Sequence, residues 1–263
     1  MKQSTFYYLL RRGLFGGISS AVREGLVMFN KFTTAGISHP AQGSASFDGA
    51  SDYIDTAVQP LTDFTNYTYS FWVYFDDVST YQNMVGFGNS SSTTPVSTME
   101  IGPNPKILHF HRDDAGVSIS LETQNLSVGN WYFATATKEG TAFKLYLDGS
   151  LEDSGTASTS APTYDTFNMG RLLRTAAQGY FNGNLANVAI WNRALSSDEI
   201  NSVMWKSYDG LTASETSGLQ AWYSLDDITS PAASLANMEQ LAADKDATIE
   251  NKAAITAAIN ALS

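Results

Sequence analysis

Large apolar residues alternate with small or polar ones along much of the chain. In Tyr67-Thr68-Tyr69-Ser70-Phe71-Trp72-Val73-Tyr74-Phe75 the period of two predicts a strand with one face on a core and with Trp72 and Tyr74 on the other side. Lys106-Ile107-Leu108-His109-Phe110-His111-Arg112 runs into the turn Asp113-Asp114-Ala115-Gly116, and Val117-Ser118-Ile119-Ser120-Leu121 returns with strict alternation, which predicts a hairpin. A second hairpin is predicted from Trp131 to Thr137 through Lys138-Glu139-Gly140 into Phe143–Leu147, ending on the turn Asp148-Gly149. Short strands separated by Gly-containing turns, with no helices between them, predict an all-β antiparallel sandwich or jelly roll.

The pattern changes at both ends and divides the chain into three parts: an N-terminal arm over 1–40, a β-rich body over 41–228 and an α-helical tail over 229–263. In the tail, Ser234 is a candidate N-cap, and Leu235, Met238 and Leu241 recur at three-residue spacing in an Ala-rich run. Lys245 and Lys252 interrupt the stripe that would continue to Ile259. Such a helix is marginal alone and is expected to dock on the body or on another chain. In the arm, Ile18, Val22 and Leu26 recur every four residues, predicting a short amphipathic helix from about Ser19 to Phe29.

Composition supports the β reading, since 13 Tyr, 14 Phe and 5 Trp stand among the 263 residues. The net charge of −11 argues against a nucleic-acid partner, which needs a broad basic surface. Residues 1–32 carry five Lys or Arg and one Glu, +4, which leaves −15 for residues 33–263. Without cysteine, neither a disulfide framework nor a thiolate metal site is available. Arg11 and Arg12 break the apolar run Phe6–Leu10, so no signal peptide is read, and no stretch approaches the length of a membrane-spanning helix.

Ser46-Phe47-Asp48-Gly49-Ala50-Ser51-Asp52-Tyr53-Ile54, Phe71-Trp72-Val73, Leu145-Tyr146-Leu147-Asp148-Gly149, Phe181–Ser196 and Gly218–Asp226 follow one another in an order that resembles the laminin-G-like jelly rolls of the concanavalin A-like lectin and glucanase superfamily. The resemblance covers roughly residues 44–228. It implies an antiparallel β-sandwich, a short helix at Ser197–Ile200, sugar binding as a family-level expectation, and calcium at the rim. Asp48, Asp52 and Asp55 are candidate calcium ligands, with Asp48 and Asp52 the leading pair. Ala186 and Asn187 stand where the family's late signature commonly has an acid, a departure that favours capping of the turn over calcium. Independently of the family, Gly49, Gly149 and Gly183 mark turns of positive φ, where Asp48, Asp148 and Asn182 are placed to bond their own backbone.

His109 and His111 share one strand face. Zinc needs three or four ligands, and the remaining histidine is distant in sequence (His39), so exposed strand histidines are the favoured reading. A glycosidase needs two facing carboxylates. Glu100 stands alone, and the adjacent Glu152 and Asp153 are expected on opposite faces. Nucleophile and phosphate-cradle motifs are absent, and no enzyme is predicted. Tyr81, Tyr164, Tyr180 and Tyr208 fall near apparent loops, where an exposed ring can stack on a sugar.

Proteins of this pattern occur on bacterial cell surfaces and among structural proteins of marine bacteriophages. The expectation is a non-enzymatic virion protein, a capsid decoration or head-exterior component, that displays the jelly roll to host glycans and docks through its arm by Arg11, Arg12, Ile18, Val22 and Leu26. Its expected partners are other virion proteins and copies of itself, with no cofactor required beyond the candidate calcium. The alternatives are a carbohydrate-binding module of a bacterial surface or secreted protein, and a phage tail-fibre component.

Overall fold

The computed structural model describes residues 43–56, 59–102, 104–160 and 162–225. The arm over 1–40, its docking residues Arg11, Arg12, Ile18, Val22 and Leu26, and the tail over 229–263 lie outside the described residues.

The described residues form a sandwich of two antiparallel sheets. One sheet holds, in spatial order, β1 (Ala45–Asp48), β14 (Asn182–Trp191), β3 (Asn66–Phe75), β8 (Trp131–Glu139), β9 (Ala142–Leu147) and β10 (Ser150–Thr156). β15 (Leu219–Tyr223) also pairs with β14. The other sheet orders β2 (Ile54–Asp55), β11 (Thr166–Met169), β4 (Gln82–Gly88), β5 (Val96–Ile101), β6 (Ile107–Arg112) and β7 (Ser118–Glu122). β12 (Leu172–Leu173) and β13 (Ala177–Gln178) form a small separate hairpin. Both predicted hairpins are present, as β6–β7 and β8–β9.

The alternation in β3 works as the sequence predicts. Tyr67, Tyr69, Phe71, Val73 and Phe75 enter the core between the sheets, where Phe47, Phe87, Phe143, Phe167, Phe181 and Tyr223 meet them. Each such ring contributes about 1.5–3 kcal/mol when taken fully out of water.

The opposite face of β3 is also buried from Thr68 to Trp72. Trp72 is fully buried, donates Nε1–H to Met204 O (3.0 Å), and lies against Phe133 and Trp205. Trp191, in the β14 position opposite Thr68, donates to Glu215 O (2.6 Å) and meets Trp222 edge-on. Helices α1 (Ser197–Val203) and α2 (Ala213–Thr216) form the segment that covers this face. Each opens with a complete capping box, Ser196 with Glu199 and Thr212 with Glu215, which satisfies otherwise orphaned backbone donors.

β14 is one long strand shared by two short partners. β1 pairs with it at residues 182–185 and β15 at residues 188–191. Between them the pairing of β14 with β3 slips at Ala186–Ala189, and Asn187 takes a φ of +48° and donates its N–H to Ser224 O (3.1 Å).

Candidate functional site

The outer face of the six-stranded sheet carries the side chains that alternate with the core positions of β4, β5 and β6. Register puts Asn83 beside Glu100, Glu100 beside Leu108, and Thr98 beside Phe110. The β12–β13 hairpin lies over β4, and it comes close because β4 offers glycines there. A Cβ on Gly86 would sit 3.1 Å from Leu172 Cδ1, and one on Gly88 would collide with Leu173 O.

Between hairpin and sheet runs a groove of about 340 Å³. Its polar floor is Asn83, Thr98 and Glu100, its aromatic positions are Tyr81 and Phe110, and Arg174 stands on the hairpin side. Thr98 Oγ1 donates to Asn83 Oδ1 (2.9 Å), which fixes the amide. Glu100 is half-buried and accepts no hydrogen bond from any described residue. Burial raises its pKa above the usual carboxylate value, and the charge of Arg174 partly offsets that rise. Arg174 donates Nη1–H to Thr93 O (2.8 Å). With the Gln178 amide oxygen turned toward it, Arg174 also donates from Nε (2.8 Å) and Nη2 to that oxygen.

Two other concavities lack an exposed ring. One, of about 460 Å³, lies by the start of α1, where Tyr146 is buried; the other, of about 510 Å³, lies at the rim beside Phe64 and Tyr164, both buried. Tyr81, by contrast, is 62% exposed. Of the four tyrosines singled out in the sequence, Tyr164 belongs to the core, Tyr208 packs against Trp222, Tyr180 is half-buried, and Tyr81 alone is exposed.

Asp48 caps its own turn. Oδ1 accepts from the N–H groups of Ala50, Ser51 and Asp52 (2.8, 2.8 and 3.0 Å), and Oδ2 accepts from Ser51 Oγ (3.0 Å). These bonds, the one from Ser51 first, hold its pKa far below the ordinary range. Asp52 is buried, and burial together with the nearby Asp48 charge raises its pKa. Asp55 faces Arg171 at 3.9 Å. The three amide donors occupy Oδ1 of Asp48, so only Oδ2, already bonded by the Ser51 hydroxyl, is left to meet a cation. Among the described residues no group of three or more His, Asp or Glu stands ready to hold a metal.

The expected exposed histidines are instead in the core. His109 and His111 are both fully buried, because they share the face of Ile107 while Leu108 and Phe110 take the outer face. Tyr67 Oη lies 3.4 Å from His109 Nε2, 3.3 Å from His111 Nδ1 and 3.2 Å from Ser97 Oγ. His109 Nδ1 and His111 Nε2 find no hydrogen-bond partner among the described residues. Burial, first of all, depresses the pKa of His109 to about 3 and that of His111 to about 4.

Two further expectations are corrected. Glu152 and Asp153 do not diverge: a bulge at Leu151–Asp153 lets Glu152 accept from Gln124 N (3.0 Å) and Asp153 from Glu122 N (3.1 Å). Together they close the gap between the edge strands β10 and β7. Asp148 reaches across to accept from Phe133 N (2.8 Å) rather than bonding its own turn.

The sequence profile of the concanavalin A-like lectin/glucanases superfamily matches residues 48–201. No curated protein matches the chain. Among solved structures, a candidate carbohydrate-binding protein from Bacteroides ovatus superposes with a TM-score of 0.55 at 17% identity, covering 71% of this chain and 52% of that one. This chain therefore spans about half of that protein. The carbohydrate-binding module CBM40 of the Ruminococcus gnavus IT-sialidase, bound to α2,3 sialyllactose, gives 0.52 at 14% identity, covering 62% of this chain and 96% of the module. The NanB sialidase from Streptococcus pneumoniae gives 0.54 at 16% identity over 65% of this chain and 29% of the enzyme. At these identities the likeness is one of fold. No helix among the described residues is long and apolar enough to cross a membrane.

Proposed function

Because the chain belongs to the concanavalin A-like lectin/glucanase superfamily, we propose that its sandwich is a non-catalytic glycan-binding domain and that the groove under the β12–β13 hairpin is its binding site. The observation that carries this reading is Tyr81, a large ring 62% exposed at the mouth of a groove floored by Asn83, Thr98 and Glu100. A sugar offers an apolar C–H face for a ring and hydroxyls for fixed polar groups, and this groove offers both counterparts. Domains of the same fold in a candidate carbohydrate-binding protein and in CBM40 support the choice of ligand class.

The test is a glycan array followed by calorimetry on the full chain. Tyr81→Ala is expected to weaken binding about tenfold, roughly 1.4 kcal/mol. No binding by the parent protein would sink the proposal. Because Asp48 is committed to its turn, chelator is expected to leave the affinity unchanged, and a loss of binding in EDTA restored by calcium would contradict that.

The setting we propose is the exterior of a virion, where the domain would be displayed by its flanking segments. It is supported by the basic stretch before the domain and the Ala-rich stretch after it. Mass spectrometry of purified particles is expected to find the chain, and its absence from every particle preparation would remove this setting while leaving glycan binding intact.

A further inference from the structure

Resting on the glycan-binding reading, we infer that the groove selects a neutral sugar, through vicinal hydroxyls donated to Glu100, and disfavours carboxylated sugars. Glu100 is held on β5 between Asn83 and Leu108 and accepts no hydrogen bond from any described residue. Its oxygens can only accept when ionised, and two adjacent sugar hydroxyls supply two donors at the spacing of one carboxylate. The C–H face of the same ring would then lie toward Tyr81 and Phe110.

A carboxylated sugar meets the opposite chemistry. Its anion would enter a partly desolvated groove beside Glu100, where like charges repel more than they do in water. The cation in the groove lining, Arg174, is otherwise engaged. With the Gln178 amide oxygen turned toward it, the Arg174 fork of Nε and Nη2, which would clasp a carboxylate in two parallel bonds, is taken up by Gln178, and Nη1 is tied to Thr93 O. Arg112 stands opposite Val96 of the groove lining and acts on Arg174 electrostatically, but it is exposed, so solvent and salt screen its charge. The wider field has the same sign, since residues 43–225 hold 19 acidic and 8 basic side chains.

The experiment titrates the full chain with matched neutral and carboxylated ligands: lactose against 3′-sialyllactose, and digalactose against digalacturonate, beside a panel of neutral disaccharides. A neutral ligand is expected to bind at least about tenfold tighter than its carboxylated match. Glu100→Gln, with an unchanged melting profile, is expected to weaken the neutral ligand about tenfold, the scale of a hydrogen bond to a charged group, and to narrow the gap to the carboxylated one. A carboxylated ligand that binds as tightly as its neutral match, or a folded Glu100→Gln protein with full affinity for the neutral sugar, overturns the inference. If Tyr81→Ala still weakens such binding about tenfold, the glycan reading survives and only the selectivity falls. If no sugar of either kind binds, or Tyr81→Ala changes nothing, both fall.

Discussion

Gly183, the second residue of the long strand β14, takes a φ of +153°, and a Cβ there would collide with Tyr74 O of the neighbouring strand. Backbone cannot retreat as a side chain can, so Gly183→Ala is expected to cost about 2 kcal/mol or more, read as a lowered urea midpoint. His109 and His111 set a different limit. Their pKa values of about 3 and about 4 in the folded chain lie below the 6.5 of an unfolded histidine. The unfolded chain therefore takes up protons first as pH falls. The stability they allow is complete above pH 6.5 and is lost progressively between 6.5 and about 3, at roughly 1.4 kcal/mol per histidine per pH unit. Chemical denaturation at pH 7 and pH 5 checks this, and an unchanged midpoint would mean that the two imidazoles are not in the core.

At the scale of elements, two ion pairs tie the cover over the outer tryptophans, Lys206 with Glu215 (2.7 Å) and Arg193 with Glu199. Arg193 donates Nη1–H and Nη2–H to the two oxygens of Glu199 (2.9 and 2.7 Å), and the same carboxylate accepts from Ser196 N (2.9 Å). The Arg193 bonds, first of all, pull the pKa of Glu199 down to about 2, so this contribution is present above pH 4.5 and fades as pH falls toward 2. Glu199→Gln is expected to cost about 1–2 kcal/mol at pH 7 and to red-shift the tryptophan emission as the cover over Trp72 and Trp191 loosens. The strands under this cover were legible in the sequence because period-two alternation follows directly from strand geometry. The inward face was not legible where both faces are apolar. In β6 the stripes Ile107-His109-His111 and Leu108-Phe110 compete, and only packing against Tyr67 decides between them. The groove was legible in part: Tyr81 and Glu100 each stand out in the sequence, but no local pattern links them to Arg174 and Gln178, which come from a hairpin 70 or more residues away in the chain. The bulge at Glu152 likewise turns adjacent acids the same way, against simple alternation.

At the scale of the whole molecule, both sheets and the outer cover are built within residues 43–225, from Ala45 at the start of β1 to the buried Leu225. A fragment of these residues is expected to unfold in a single cooperative transition close to that of the full chain, and a broad, non-cooperative melt would show that the flanks are needed for folding. The way β14 receives its two short partners has a further consequence. Tyr223, the last residue of β15, lies opposite Val188, and Ala45, the first of β1, lies opposite Leu185. Both strands run antiparallel to β14, so β15 leads into β1 as the two halves of one interrupted strand. Only Ala186 and Asn187 of β14 lie between the positions that the two strands face. A few residues of linker would make that strand continuous, and the chain could then be opened elsewhere, at the Gly140 turn for example, as a circular permutant. By the same geometry the domain leaves its neighbours in sequence almost where it joined them, so it can be carried as an insert in a loop of a larger protein without prising that loop apart.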